Sequence, residues 1–227
     1  MNVLVVAAHP DDEVLGCGGT IAKHAQAGDH VHILIVAEGV TSRDYQRDLQ
    51  QRQQQLSRLG ETAEQAKEIL GAKSLTLGDF PDNRLDSCDL LDIVKVVESI
   101  IAQYQPHIIY THHCGDLNID HRRVHQAVIT AARPLPDSST KTLLFFEIPS
   151  STEWQIPGSG PSFFPNWFVD ISSTLSLKIQ ALETYNSEMR PYPHPRSFKA
   201  VKSLAEWRGA TISCGAAEAF ILGRHLS

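Results

Sequence analysis

The opening run Asn2–Ala8 is a continuous apolar stretch that stops abruptly on His9-Pro10-Asp11-Asp12-Glu13, and no other feature constrains the fold as much. A half-exposed strand alternates apolar and polar residues. An unbroken run needs cover on both faces, the condition of a strand inside a parallel sheet. Similar runs return at His30–Ala37, Ser74–Leu77, Pro106–Thr111 and Thr142–Ile148. Helical patterns lie between them: about Glu13–Ala27, closed by Gly28-Asp29; a Gln- and Arg-rich stretch across Thr41–Lys67; and an amphipathic run at Leu90–Tyr104. In the Gln-rich stretch Leu49, Leu56, Ala63 and Ala66 recur at near-helical spacing, and Ile69-Leu70-Gly71 supplies the stop. This alternation predicts a doubly wound α/β sheet. Ser150–Pro165 reads as a surface loop near the site, Trp167–Ile171 as a strand, and Leu175–Tyr185 and Phe198–Gly209 as helices separated by a proline-broken segment. No repeat or linker divides the chain, so residues 1–227 are expected to form one domain.

Charge narrows the partners. The formal net charge of −6 argues against nucleic acid or an anionic membrane, both of which select basic faces. No run approaches the roughly 18 apolar residues of a membrane span. The N-terminus lacks a basic region and turns acidic where a cleavage site would fall, so no signal peptide is expected. Cys17, Cys88, Cys114 and Cys214 form no CxxC pair and read as reduced thiols of a cytoplasmic protein, although four cysteines also allow a disulfide.

Ligands of open parallel sheets bind beyond the carboxyl ends of the strands. His9, Asp11, Asp12 and Glu13 stand at that end of the first strand, just before a helix, where they offer nitrogen and oxygen donors to a metal. Acids at a helix start also act as caps and dipole partners, but three in a row after His-Pro exceed what a cap needs. Gly16, Gly18 and Gly19 fit neither a dinucleotide fingerprint nor a phosphate loop, and they fall inside the helix. Close helix–sheet packing is their expected purpose.

A second cluster, Tyr110-Thr111-His112-His113-Cys114-Gly115-Asp116-Leu117-Asn118-Ile119-Asp120-His121, follows the fourth strand and emerges at the same edge. His121 opens an apolar-periodic helix through Val124, Val128 and Ala131, with Asn118 or Asp120 as its cap. His125 shares a helical face with His121, and spacing alone leaves either as the ligand. A catalytic zinc commonly keeps three protein ligands and an open position, and a nearby carboxylate takes the proton of the attacking water. The two clusters together contain that inventory.

Ala8-His9-Pro10-Asp11-Asp12-Glu13, paired with Asn118-Ile119-Asp120-His121 after a later strand, resembles the PIG-L/LmbE-like family of zinc-dependent N-deacetylases. The segments 78–86, 110–121 and 193–220 extend the likeness. The resemblance implies a Rossmann-like, mostly parallel sheet with helices on both faces, and removal of an acetyl group from an N-acetylated amino sugar, usually an N-acetylglucosamine unit. It implies His9, Asp12 and His121 as metal ligands, with zinc the expected ion and iron suited to the same set. Asp11 becomes the general base and Asp120 a residue that orients a neighbour. The family commonly has a His where this chain has Asn118. An Asn amide can donate a hydrogen bond to an oxyanion but cannot carry a proton to the leaving group, which leaves Asp11, His112, His113 or His125 to protonate the departing amine.

Asp82 matches a sugar-contacting position of the family, and Arg43, His194 and Arg196 are further candidates for substrate contact by position. Each also has a plain surface or turn reading, a Pro-Asp-Asn turn in the case of Asp82. Rival functions are hydrolysis of another N-acyl amide and sugar binding without chemistry. The presence of Asp11 beside Asp12 argues against the latter. The loops about Thr41–Gln54 and Ser150–Pro165 hold no readable code for the substrate, and no unassigned apolar stripe specifies an oligomer.

Overall fold

Strand β1 (Asn2–Ala7) divides its side chains between two cores. Val3, Val5 and Ala7 enter one, while Leu4 and Val6 enter the other with Ala8 just beyond the strand. Side chains alternate along a strand, so a one-residue slip would exchange the two sets; both being apolar, the sheet must be covered on both sides. The computed structural model describes residues 1–43 and 45–227; Asp44, in the loop expected to help select the substrate, lies outside them.

The other strands are β2 (His30–Ala37), β3 (Ser74–Phe80), β4 (Ile108–His112), β5 (Thr142–Phe146), β6 (Trp167–Asp170) and β7 (Ala217–His225). They form a seven-stranded sheet in the order β3-β2-β1-β4-β5-β7-β6. From β1 to β5 every pairing is parallel; β7 runs antiparallel between β5 and β6. The helices are α1 (Asp12–Gln26), α2 (Leu49–Leu70), α3 (Leu90–Tyr104), α4 (Ile119–Ala131), α5 (Leu175–Thr184) and α6 (Phe198–Ala210). Helices α1, α2 and α5 bury residues in the core that holds Val3 and Val5, and α3 and α4 in the core that holds Leu4 and Val6. The strand order reverses direction at β1: the chain runs outward through β2 to β3 on one side, then crosses back through α3 to β4 on the other. The loops after β1 and β4 therefore meet at a topological switch point.

The α/β pattern expected from the sequence is the one observed, with three departures, the smallest being that the helix expected across Thr41–Lys67 begins only at Leu49, capped by Asp48. Strand β7 was not anticipated, because a terminal strand that enters antiparallel between two others leaves no βαβ signature. Its pairing with β5 shifts register between Leu143 and Leu144, opposite Arg224 and Leu222, so Gly223 is the extra residue of a bulge.

The third departure is a break in α1 at Cys17 (φ −151°, ψ 26°). The kink frees backbone groups, and a buried ion pair takes them up. Lys178 Nζ donates to Leu15 O at 2.8 Å, while Gly19 N and Thr20 N donate to the Glu218 carboxylate at 3.0 and 2.7 Å. Lys178 and Glu218 are 2.6 Å apart and both buried. Close helix–sheet packing explains Gly16 as expected, a Cβ there standing 2.5 Å from the Phe146 ring; Gly19 instead packs on Ile171 just beyond β6 at 2.7 Å, and Gly18 meets Val14 of its own helix and Lys178 of α5.

Candidate metal centre

Three histidine and carboxylate atoms converge where the loops after β1 and β4 meet. Asp12 Oδ2 lies 3.2 Å from His9 Nδ1 and 3.2 Å from His121 Nε2. Tetrahedral bonds of about 2.0–2.1 Å place neighbouring donor atoms roughly 3.3 Å apart, so the spacing suits one zinc-sized ion. The chemistry of the donors argues the same way. Asp12 Oδ1 is buried without a hydrogen-bond partner, and two imidazole nitrogens face the carboxylate that carries it. The carboxylates make the pocket one that favours positive charge: against the effect of burial, Asp12 and Asp116 hold His121 up at about 9, and Asp12 and Asp120 raise His9 well above its usual value. His9, Asp12 and His121 thus fit a divalent metal.

Each histidine is oriented from behind. His9 Nε2 is 3.0 Å from Asp120 Oδ2, and Asp120 also accepts from Asn83 N at 2.7 Å and Leu85 N at 2.9 Å. One buried carboxylate thereby ties α4 to the loop after β3 and directs Nδ1 of His9 at the donor cluster. His121 Nδ1 lies 3.1 Å from Asp116 Oδ1. Asp116 is itself fixed by Ser151 Oγ, Thr152 Oγ1 (2.6 Å) and Asn118 N (2.8 Å). Asp120 thereby gives His9 the hydrogen-bonded carboxylate that sets tautomer and ring direction at metal sites, while Asp116 stands behind His121 at ion-pair distance. Asp116 was not singled out in the sequence, although it sits in the second motif. Only the fold shows that it, rather than its neighbours, lies behind His121.

Asp11 stands beside the donors at the start of α1, with φ 108° and ψ −28°, a backbone state that costs a non-glycine residue on the order of 1–3 kcal/mol. Its Oδ2 accepts from Arg196 Nη1 at 2.8 Å. Burial pushes the carboxyl up to about 7; Arg196 opposes that rise and Asp12 adds to it. Its backbone N–H donates to Glu13 Oε2 at 3.0 Å, and Tyr185 Oη donates to Glu13 Oε1 at 2.7 Å. Glu13 is buried, which pushes its carboxyl to about 8 against the Tyr185 bond.

A cleft of ≈ 250 Å³ opens over this cluster, lined among others by His9, Asp11, Arg43, Asp82, Asn118, His121 and Arg196. Asp82 accepts from Ser42 N and Oγ and faces His9 Nε2 at 3.4 Å, so the turn expected of Pro81-Asp82-Asn83 and its place at the site coexist. Arg43 is held by Glu188 through contacts of 2.8 and 2.9 Å. His194 does not line the cleft: its Nδ1 accepts from Arg196 N and its ring stands edge-on to Trp154, so it braces the loop that carries Arg196. Ser151, from the loop expected near the site, lines the cleft, and so do Glu188 and Arg190, which no local pattern in the sequence marked. A larger, more apolar groove of ≈ 570 Å³ lies between α2 and β3, lined by Leu49, Leu56 and Leu77, and contains none of the donor residues.

The structure also decides between histidines. His125 Nδ1 lies 2.9 Å from His112 O and its ring packs on Phe145, away from the donors. Spacing had left it level with His121; the pitch of α4 turns it to the strand behind. His112 is buried, stacked on His121, and its Nε2 accepts from Ala8 N at 2.8 Å. His113 Nε2 lies 3.0 Å from Pro161 O. None of the three lines the cleft. Asn118 caps α4, its side chain accepting from Asp120 N at 2.8 Å, and its amide donates to Asn83 Oδ1 at 2.8 Å.

Fold and donor set define a class, a Rossmann-like α/β protein with a His/Asp cluster at its switch point that can hold a divalent metal. The chain belongs to the PIG-L family: the family described as GlcNAc-PI de-N-acetylase matches residues 4–132. Among curated relatives, the uncharacterized deacetylase YaiS of Escherichia coli K12 is 29% identical over 192 residues, covering 82% of this chain and 91% of that protein. The diacetylchitobiose deacetylase of Thermococcus kodakarensis is 30% identical over 201 residues, 82% of this chain and 70% of its own. In structure, the N,N'-diacetylchitobiose deacetylase of Pyrococcus horikoshii matches with TM-score 0.76 and 20% identity over 98% of this chain and 84% of the other. GalB of Pseudomonas putida KT2440, a 4-carboxy-2-hydroxymuconate hydratase, matches with TM-score 0.79 and 22% identity over 100% and 97%. The last two establish the fold. The family places the chain among metal-dependent deacetylases.

Proposed function

We propose that residues 1–227 act as one catalytic domain that removes the acetyl group from an N-acetylated amino sugar or its conjugate, with zinc held by His9, Asp12 and His121. The observation that carries this reading is the convergence of those three donors with Asp11 beside them in an open cleft. The substrate class rests on the family and on relatives named for deacetylation of diacetylchitobiose and of an acetamido-glucopyranoside of inositol. A zinc ion in this position supplies Lewis acidity to the amide carbonyl and makes water acidic enough to lose a proton near neutral pH.

The protein's own groups do the rest. Asp11, beside the donor cluster and lining the cleft, takes the proton of the attacking water. Asn118 borders the cleft with an amide that can donate to the oxygen on which negative charge develops. With His112, His113 and His125 all outside the cleft lining, Asp11 is also the group placed to return a proton to the departing amine. Arg196 keeps the Asp11 carboxylate turned to the cleft, Asp116 and Asp120 orient His121 and His9, and Asp82 and Arg43 are the side chains offered to sugar hydroxyls.

The test is acetate release from a panel of lipid-linked, nucleotide-linked and thiol-linked N-acetylglucosamine conjugates by the zinc-loaded protein. Asp11→Asn should keep its zinc and lose about 10²–10⁴-fold in turnover, the range of a general base. Full activity in that variant would remove Asp11 from its role, and no acetate from any conjugate would refute the substrate class.

A further inference from the structure

We propose that Glu13 and Tyr185 are a positioning pair that sets the direction of Asp11, an inference that rests on Asp11 being the base. Consecutive acids must do different work here: Asp12 turns into the donor cluster, and Asp11 turns to the cleft and Arg196. The chain separates them by placing Asp11 at φ 108°, where a side chain is rarely found. Something has to hold that conformation. The Asp11 carbonyl is engaged by Val14 N and Leu15 N at 3.1 and 2.9 Å, the first turn of α1. Its N–H, the group turned by the unusual φ, donates among the described residues to Glu13 Oε2 at 3.0 Å.

Glu13 is 2% exposed, does not line the cleft, and is not one of the donors of the metal cluster. Its other oxygen accepts from the fully buried Tyr185 hydroxyl at 2.7 Å. An acid in such surroundings needs a reason, because an apolar residue would bury there at less cost. Its two oxygens supply one: they join Asp11's amide to the C-terminal end of α5. Tyr185 also begins the stretch of chain that ends on Arg196. One segment, 185–196, therefore grips Asp11 twice, by its backbone through Glu13 and by its carboxylate through Arg196. Neither Glu13 nor Tyr185 needs to touch substrate to govern turnover, since a displacement of about 1 Å at a reacting group can cost on the order of 100-fold.

The roles of the two groups make the proposal testable by rescue. Glutamine at position 13 can still accept from Asp11 N through Oε1 and donate through Nε2 to the Tyr185 oxygen, while alanine can do neither. Acetate release by the zinc-loaded protein is measured with metal content for Glu13→Ala, Glu13→Gln, Tyr185→Phe and Asp11→Asn. Tyr185→Phe and Glu13→Ala should lose about tenfold or more in kcat, with KM within about twofold and zinc still one per chain, and Glu13→Gln should stay near the parent. Tyr185→Phe removes a single hydroxyl, so it carries the test if the alanine variant does not fold. A fall in thermal stability with kcat unchanged in Tyr185→Phe would overturn the proposal, as would Glu13→Gln being as slow as the alanine variant. If Asp11→Asn keeps full turnover, the base assignment fails and the positioning role with it; if only Tyr185→Phe is unaffected, the base stands and the pair is structural.

Discussion

At the scale of single residues, the site turns on one atom, Asp12 Oδ2, which three histidine nitrogens approach at 3.2, 3.2 and 3.6 Å. His9 and Asp12 were legible because they are neighbours in one motif, and a strand end followed by a helix start brings them together whatever the rest of the chain does. Asp116 was not, since its role depends on Ser151 and Thr152 reaching it from the loop after β5. Asp116→Asn should weaken zinc affinity by about 10–100-fold, as loss of a carboxylate behind a ligand histidine does. Competition with a chelating dye measures this, and unchanged affinity would show that His121 is oriented by something else. Asn118 joins two duties. Replacement by alanine removes the α4 cap and should cost about 0.5–2 kcal/mol in urea unfolding, alongside any loss of turnover from the missing amide.

At the scale of elements, the broken helix α1 separates chemistry from support. Its first turns carry Asp12 and Glu13, and its second part packs beside β7 and α5 through Glu218 and Lys178. Lys178→Met would leave Glu218 buried beside Gly19 and Thr20 without its cation, and should destabilise the fold by about 3–5 kcal/mol. A shift of the urea midpoint close to zero would mean that the kink does not depend on the pair. The strand–helix alternation was readable from apolar runs and helical spacing, yet this arrangement was not. Residues 178 and 218 meet only because β7 enters between β5 and β6, and nothing local announces that pairing. On the opposite edge, His32 of β2 bonds Ser74 of β3 at 2.7 Å and stacks on Tyr104. Burial first, then Lys73 and His30, lower its pKa. The unfolded chain protonates this histidine near 6.5 and the folded chain resists, so its contribution is complete above about pH 6.5 and is lost as pH falls through the lower folded value. Urea midpoints from pH 7.5 to 5 should fall more steeply for the parent than for His32→Gln; equal slopes would contradict the assignment.

At the scale of the whole molecule, fold and reaction are separate inferences. A hydratase and a sugar deacetylase match the same fold with comparable TM-scores, so the sheet alone does not choose the chemistry. The family model and the deacetylase relatives choose it, and the edge of the sheet, where the loops after two of the five parallel strands bring His9, Asp12 and His121 to one point, is where that chemistry can be housed. No helix among the described residues is long and apolar enough to cross a membrane, and the four cysteines are unpaired. The most direct measurement is acetate release by chelator-stripped protein as zinc is added back in known equivalents. Activity absent at the start, rising with zinc and saturating at one equivalent per chain, is the expected result. Acetate release that persists in the stripped protein, or that never responds to zinc or another divalent ion, would contradict a metal held by His9, Asp12 and His121.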